Sequence, residues 1–455
     1  MHLYLLVPPS SPTSRTIEVN GRLWSLQPFD LDRSSDGTGV AYSCISYTWG
    51  SGREPSPFDS SFLVSDRTIP ALQTFTRHRP TCSGIWIDAF CVPLTEPERT
   101  QTLESMGYIY ARADEVLVVL SSAASPALTR MLGSSRLDIA DLAVLECEEW
   151  VERAWTYQET VNCKALLLTC EGEASALVPA NRFFNCLGYA LAHFDGSIVD
   201  KLRVYPRLNA FEDIMADFYT AAYEDRAALN VMSNMDRRVQ GRAEDHFYAM
   251  IGAISAERAS AIGKVQPCEA FMRVCERKGD FSFVYSAAKR EEMPLRRWRP
   301  VPGDLPSILP WHGWGTRQPG RLCDDGLWLD NMLVVHPALP QEEARQFARQ
   351  WLASFWKVYP YSQQNLEEAV YDTLQAMGFT GSPRCVTTTK GYFFSFEPVT
   401  NDLVISILVS TALRWSLGAP GLISYNNGHE KRVLYTPGVY VGAVEGEDTM
   451  SVLLG

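Results

Sequence analysis

The chain lacks most of the features that place a protein quickly. No apolar run approaches the roughly 20 residues that cross a bilayer, so no membrane span is expected. The N-terminus, MHLYLLVPPSSPTS, has only a short apolar run, no basic flank, and a break at Pro8 and Pro9. It reads as a poor secretory signal. Cysteine is not scarce, but its 11 copies are scattered. There is no paired CxxC array and no CxxC with a following HxxxH, which argues against a disulfide framework or a structural zinc site. The 7 histidines include no HExxH. Neither a glycine-rich phosphate loop nor a dinucleotide fingerprint occurs. Basic residues are also short, with 41 Lys and Arg against 53 Asp and Glu and a net charge of −12. Nucleic acid is therefore not the expected partner, because phosphate binding needs a basic face. What remains is a cytoplasmic protein in a reducing compartment, with no metal and no resident cofactor expected.

Of the 455 residues, 46% are hydrophobic and 21% charged, the proportions of an ordinary globular chain. Residues 15–30 predict a hairpin with Asn20-Gly21 as its turn. Residues 31–40 are polar and Gly/Ser-rich and read as a loop. Short apolar runs at 41–47 (AYSCISY), 84–88 (GIWID), 115–122 (EVLVVLSS) and 165–170 (ALLLTC) read as buried strands. Between them, 98–113 and about 136–161 read as helices. Strand, helix, strand in this order predicts βαβ units, hence an α/β doubly wound parallel sheet. Residues 1–178 are expected to form this domain and 179–258 a helical segment packed on it. Residues 259–455 are expected to be a mixed α+β region.

In an open α/β sheet, ligands sit at the carboxyl ends of the strands. That rule selects the loops at 46–50, 88–91 and 121–125. Gly50 would let the backbone approach a ligand, while Trp49 reads either as pocket wall or as core. Asp88 closes a buried strand, so its carboxylate needs a hydrogen-bond partner, a charge or a ligand. A loop cap that accepts backbone N–H groups is the other reading. Cys91 lies on the same loop, but no histidine is tied to it by sequence. Arg153 can neutralise a phosphate or pair with Glu149 four residues back. Trp155 and Glu159, also four apart, share one helix face. A carboxylate beside a large ring suits a developing sugar cation, as in glycosidic cleavage. A glutamate on the solvent side of an amphipathic helix is the alternative.

Three blocks together are far more specific than any one. They are Ile45-Ser46-Tyr47-Thr48-Trp49-Gly50, then Trp86-Ile87-Asp88-Ala89-Phe90-Cys91 with Glu98, Arg99, Met106, Ile109, Tyr110 and Ala113, then Arg153-Ala154-Trp155-Thr156-Tyr157-Gln158-Glu159. In this order and spacing they resemble the fungal heterokaryon-incompatibility (HET) domain over about 40–165. Two looser blocks extend the likeness, Asp245 to Gly252 and Leu305-Pro306-Ser307 with Pro310-Trp311 and Trp314. Two departures stand out. Val92-Pro93-Leu94 replaces the family's usual Ile-Asn-Gln, and His312-Gly313-Trp314 replaces an Asp-Trp.

HET domains are in turn similar to TIR domains, which have a flavodoxin-like fold. In TIR domains that cleave NAD, the glutamate of a Trp-x-x-x-Glu motif is catalytic. The resemblance thus implies Glu159 as the acid that binds the nicotinamide ribose, with NAD as a substrate. Ser46, Tyr47, Trp49, Gly50, Asp88, Cys91, Arg153 and Trp155 would surround that substrate. It equally implies a non-catalytic module of non-self recognition and cell death that assembles with itself or with protein partners. A third reading is an enzyme recruited to small-molecule biosynthesis. Regulation is expected from another chain or from the region after about 180 covering the first domain; in the second case, deleting that region would raise toxicity or activity.

Overall fold

The computed structural model describes residues 2–9, 15–30, 41–134, 136–173, 175–196, 198–220, 225–255, 265–355, 365–416, 418–426, 433–445 and 448–455. The stretch 31–40, read above as a loop, lies outside the described residues. The chain divides into two compact units. The first takes residues 1–194, 205–219 and 239–264, and the second takes 195–204, 220–238 and 265–455.

The first unit carries strands β1 (His2–Val7), β2 (Thr16–Val19), β3 (Arg22–Asp30), β4 (Ser43–Tyr47), β5 (Arg53–Pro55) and β6 (Leu63–Ser65). It continues with β7 (Ile85–Ile87), β8 (Val116–Leu120), β9 (Leu166–Cys170) and β10 (Val178–Pro179). Eight of these make one sheet in the order β10-β9-β8-β4-β7-β1-β3-β2, and β5 pairs with β6 apart from it. The centre, β7-β4-β8-β9, is parallel. Every residue of β4, β7 and β8 is buried, as strands covered on both faces require.

The sheet is mixed rather than parallel throughout, because its flanking strands are antiparallel. The cause is local. Asn20 and Gly21 both take positive φ (50° and 75°), which closes the tight hairpin of β2 and β3. A hairpin this short can only be antiparallel. The apolar N-terminal run is the strand β1 beside it, with Leu3, Leu5 and Leu6 buried.

The two long helices expected between strands are broken. Residues 98–113 form helices Glu98–Glu104 and Met106–Arg112. Residues 136–161 form helices Ile139–Glu146, Glu149–Glu152 and Ala154–Val161. The last break falls at Arg153, whose backbone is extended (φ −74°, ψ 141°). It pairs there with Val239, and the Ala154 N–H donates to the Val239 carbonyl at 2.9 Å. That bridge restarts the helix that carries Trp155 and Glu159.

Later segments complete this unit. The Tyr157 hydroxyl donates to Asp217, and Phe211 packs edge-on against Trp150. Helix Ala243–Ile254 meets helices Met106–Arg112 and Ala154–Val161. Asn162 donates to the Gly252 carbonyl at 2.7 Å. A fragment ending near residue 180 therefore loses part of its own core, and such a deletion does not release an intact domain.

The second unit has β11 (Gly320–Cys323), β12 (Gly326–Val335), β13 (Cys385–Thr387), β14 (Gly391–Ser395), β15 (Val404–Ser410), β16 (Ala419–Asn426), β17 (Val433–Gly442) and β18 (Met450–Leu454). They form an antiparallel sheet in the order β11-β12-β15-β16-β17-β14-β13, with β18 on β12. Phe393, Ile407, Val409, Ile423 and Tyr440 form its core. Helix Glu342–Phe355 lies against β14 and β17. The LPS block is used structurally here. The backbone and side chain of Ser307 both donate to the Asp236 carboxylate, at 2.7 and 2.5 Å.

Close helix packing in the first unit depends on two glycines. A Cβ on Gly107 would sit 2.2 Å from the Gly252 carbonyl oxygen. Relief would require a backbone shift, since no flexible side-chain tip is there to yield. Gly107→Ala is expected to destabilise the unit by about 1–3 kcal/mol, the usual cost of overpacking. Urea denaturation followed by tryptophan fluorescence measures it, and an unchanged midpoint would contradict this packing.

Candidate functional site

Glu159 sits in the last turn of helix Ala154–Val161 and is only 7% exposed, so it is not a solvent-facing glutamate. Its carboxylate accepts a hydrogen bond from the Ser46 hydroxyl on β4. Ser46 accepts in turn from the buried indole of Trp150 at 2.7 Å. The indole has one donor and the hydroxyl one proton, so the chain runs from Trp150 through Ser46 to Glu159. Burial pushes Glu159 up to about 7. The Ser46 bond, the Arg153 guanidinium and the Tyr110 hydroxyl act in the opposite direction, while the Asp88 carboxyl adds to the rise.

Asp88 opens a one-turn helix, Asp88–Cys91, directly after β7. It accepts from the Trp49 indole at 2.8 Å and from the Ala89 backbone at 2.7 Å. Asp88 thus accepts from a backbone N–H and also orients a ring. Burial raises its pKa, and Arg153 works against that rise. Arg153 donates to the Tyr47 carbonyl at 2.8 Å, which ties this cation to the end of β4. Glu149, its alternative partner by sequence, is exposed.

These groups border a cavity of about 620 Å³. Trp49, Asp88, Arg153, Trp155 and Glu159 line it. Ser46 and Tyr47 stand behind this wall rather than in it. Ser46 supports Glu159, and the buried Tyr47 hydroxyl bonds Thr68 at 2.8 Å. Gly50 takes a left-handed conformation (φ 57°) at the flank, where its carbonyl accepts from Arg53 at 3.0 Å. Cys91 is not brought to the cavity. Its thiol lies under β7 near the Ile87 amide, and burial pushes it up to about 12. The third strand-end loop is occupied structurally, because Ser121 donates to Glu148 from its backbone at 3.2 Å and from its hydroxyl.

Several lining residues escaped the sequence reading. Phe62 and Leu63 reach the cavity from the β5–β6 hairpin, and Val92-Pro93-Leu94 line it as an apolar stretch. Residues 239–245 supply a further wall. Asp245 in that segment stands beside Trp155, which offsets part of the desolvation that raises the Asp245 pKa. Asp245 opens one of the looser blocks noted above, so a signal for it was present. Nothing in the sequence marked Trp150 or Arg53.

Residues 42–144 match the family model of the heterokaryon incompatibility protein (HET). The matched stretch starts one residue before β4 and ends inside helix Ile139–Glu146. It includes Trp49 and Asp88 and stops short of Arg153, Trp155 and Glu159. No curated protein and no solved structure matches the chain. Among the described residues, no helix is long and apolar enough to cross a membrane.

The raised Glu159 pKa has a consequence for stability. The folded state holds this proton more tightly than the unfolded chain does. The resulting stability is complete below the ordinary carboxylate range and is lost as pH rises through about 7. Glu159→Gln keeps the shape and cannot ionise. It is expected to raise Tm relative to the unmodified protein at about pH 8.5 and to change it little at about pH 5. Calorimetry at both values checks this, and equal shifts at the two would argue against a buried, ionising Glu159.

Proposed function

We propose that this is a HET-type protein of non-self recognition and cell death, and that it cleaves NAD or a related nucleotide at the ribosyl bond. The observation that carries the reading is a buried carboxyl, Glu159, at the wall of a cavity it shares with the indoles of Trp49 and Trp155, two further carboxyls and four arginines. A substrate ribose placed there would offer its hydroxyls to the Glu159 carboxylate. The C1′–N bond breaks with its electron pair leaving on the nicotinamide nitrogen, which becomes neutral. Glu159, ionised, stabilises the sugar cation, and water adds to C1′ and gives up a proton. Trp49 and Trp155 supply flat apolar walls for the ring systems, and Asp88 fixes the Trp49 indole.

The TIR-like reading is supported by strand order. In the parallel centre the strands stand second, first, third, fourth, as in flavodoxin-like sheets. The cavity also touches residues just beyond two parallel strand ends, which is where such sheets bind ligands.

A second reading, a non-catalytic module that assembles with copies of itself or with a partner, draws on the mouth of the same cavity. Leu63 and Leu94 line it and are 52% and 48% exposed. The family's Asn-Gln pair is missing beside them.

The deciding experiment is nicotinamide release from NAD by the full chain beside Glu159→Gln. Release is expected from the unmodified protein, rising with pH to a plateau above about 7, and is expected to fall by at least about a hundredfold in the variant. Release that Glu159→Gln leaves intact would remove Glu159 from the chemistry. No release from either protein, with concentration-dependent sedimentation, would transfer the reading to assembly.

A further inference from the structure

The lining of this cavity is positive, on a chain whose net charge is negative. Four arginines line it, Arg53, Arg99, Arg153 and Arg242, against three carboxyls, Asp88, Glu159 and Asp245. The lining is therefore positive by at least one charge, and by about two when Glu159 holds its proton, on a chain whose net charge is −12. A concave basic site on an acidic protein needs a reason, because the surrounding field repels anions that the site would attract.

The arginines are also arranged by depth. Arg153 is half-buried beside Asp88 and Glu159, with one N–H committed to the Tyr47 carbonyl. Arg99 is half-buried as well, while Arg53 and Arg242 are exposed. Arg53 is exposed, stacks over the Trp49 ring at 5.5 Å, and is anchored through one nitrogen to the Gly50 and Gly52 carbonyls at 3.0 and 2.7 Å. Among the described residues, its second terminal nitrogen has no hydrogen-bond partner. Arg242 is 61% exposed, has a long 3.8 Å contact with Glu244, and acts on the Asp245 carboxyl. Arg99, in the first turn of helix Glu98–Glu104, feels the Asp245 carboxyl at a distance. Structural arginines of this unit look different. Arg79 is forked onto Glu115 at 2.6 and 2.9 Å, and Arg67 bonds Glu171 at 2.7 Å.

We infer that Arg53, Arg99 and Arg242 form a subsite for the diphosphate of a nucleotide whose sugar lies deeper, against Glu159 and Asp88. The planar guanidinium fork matches phosphate oxygens. A cavity of about 620 Å³ has room for such a ligand. Trp49 would then serve twice, as a wall for a ring and as the platform that holds Arg53. The inference rests on the proposed ribosyl chemistry for the identity of the deeper group, but the anion subsite is testable without any turnover.

The experiment is titration calorimetry of the full chain with inorganic pyrophosphate, ADP-ribose and nicotinamide riboside. The proteins are the unmodified chain, Arg99→Gln/Arg242→Gln, Arg53→Gln and Glu159→Gln, each first checked by circular dichroism for a retained fold. Pyrophosphate is expected to bind and to compete with ADP-ribose, with affinity falling as salt rises. Each arginine removed should weaken both phosphate ligands by about tenfold and leave the riboside unchanged. Glu159→Gln should still bind pyrophosphate as tightly as the unmodified chain. Absent pyrophosphate binding, or equal affinity for the riboside and ADP-ribose, would overturn the subsite. So would arginine variants that bind normally. Pyrophosphate binding without nicotinamide release would keep the subsite and defeat the catalytic reading. Release that the arginine variants leave unaltered would do the reverse.

Discussion

Burying the Glu159 carboxyl is the constraint around which the first unit is arranged. A carboxylate taken out of water needs donors and a cation nearby, or it stays protonated. Here the Ser46 hydroxyl, the Tyr110 hydroxyl and Arg153 compete with desolvation, and the result is a group poised near neutrality. Ser46 accepts from the Trp150 indole while its own proton goes to Glu159. Trp150 in turn is held by Phe211, from a segment some sixty residues later.

The same constraint explains the break at Arg153. A continuous helix from 139 to 161 would carry Arg153 and Glu159 on one unbroken axis. Pairing of residue 153 with Val239 interrupts that axis and brings residues 239–245 to the cavity. Glycines at 107 and 252 let the supporting helix approach closely enough to complete this wall. The candidate site therefore depends on segments well beyond the matched stretch 42–144.

Much of this unit was legible because its signals are local. Runs such as VLVVL at 116–120 are buried on both faces and show it in composition. Asn20-Gly21 announces its own turn. Trp49, Asp88, Arg153, Trp155 and Glu159 were found through strand-end logic and motif spacing, and they share one cavity. Cys91 was drawn in by the same logic. On a one-turn helix, however, its direction is set by packing, which turns the thiol under the strand.

What the sequence determined alone was periodicity, turn chemistry and the chemical types available at strand ends, since these depend on neighbours a few residues apart. Tertiary structure decided the rest. The antiparallel edge at β1–β3 follows from where the N-terminal hairpin docks, and the cavity's outer wall comes from residues 239–245. The pKa of Glu159 depends on burial among groups from four separate stretches of chain. Desolvation and charge act through space rather than along the chain, so no spacing rule could have carried them.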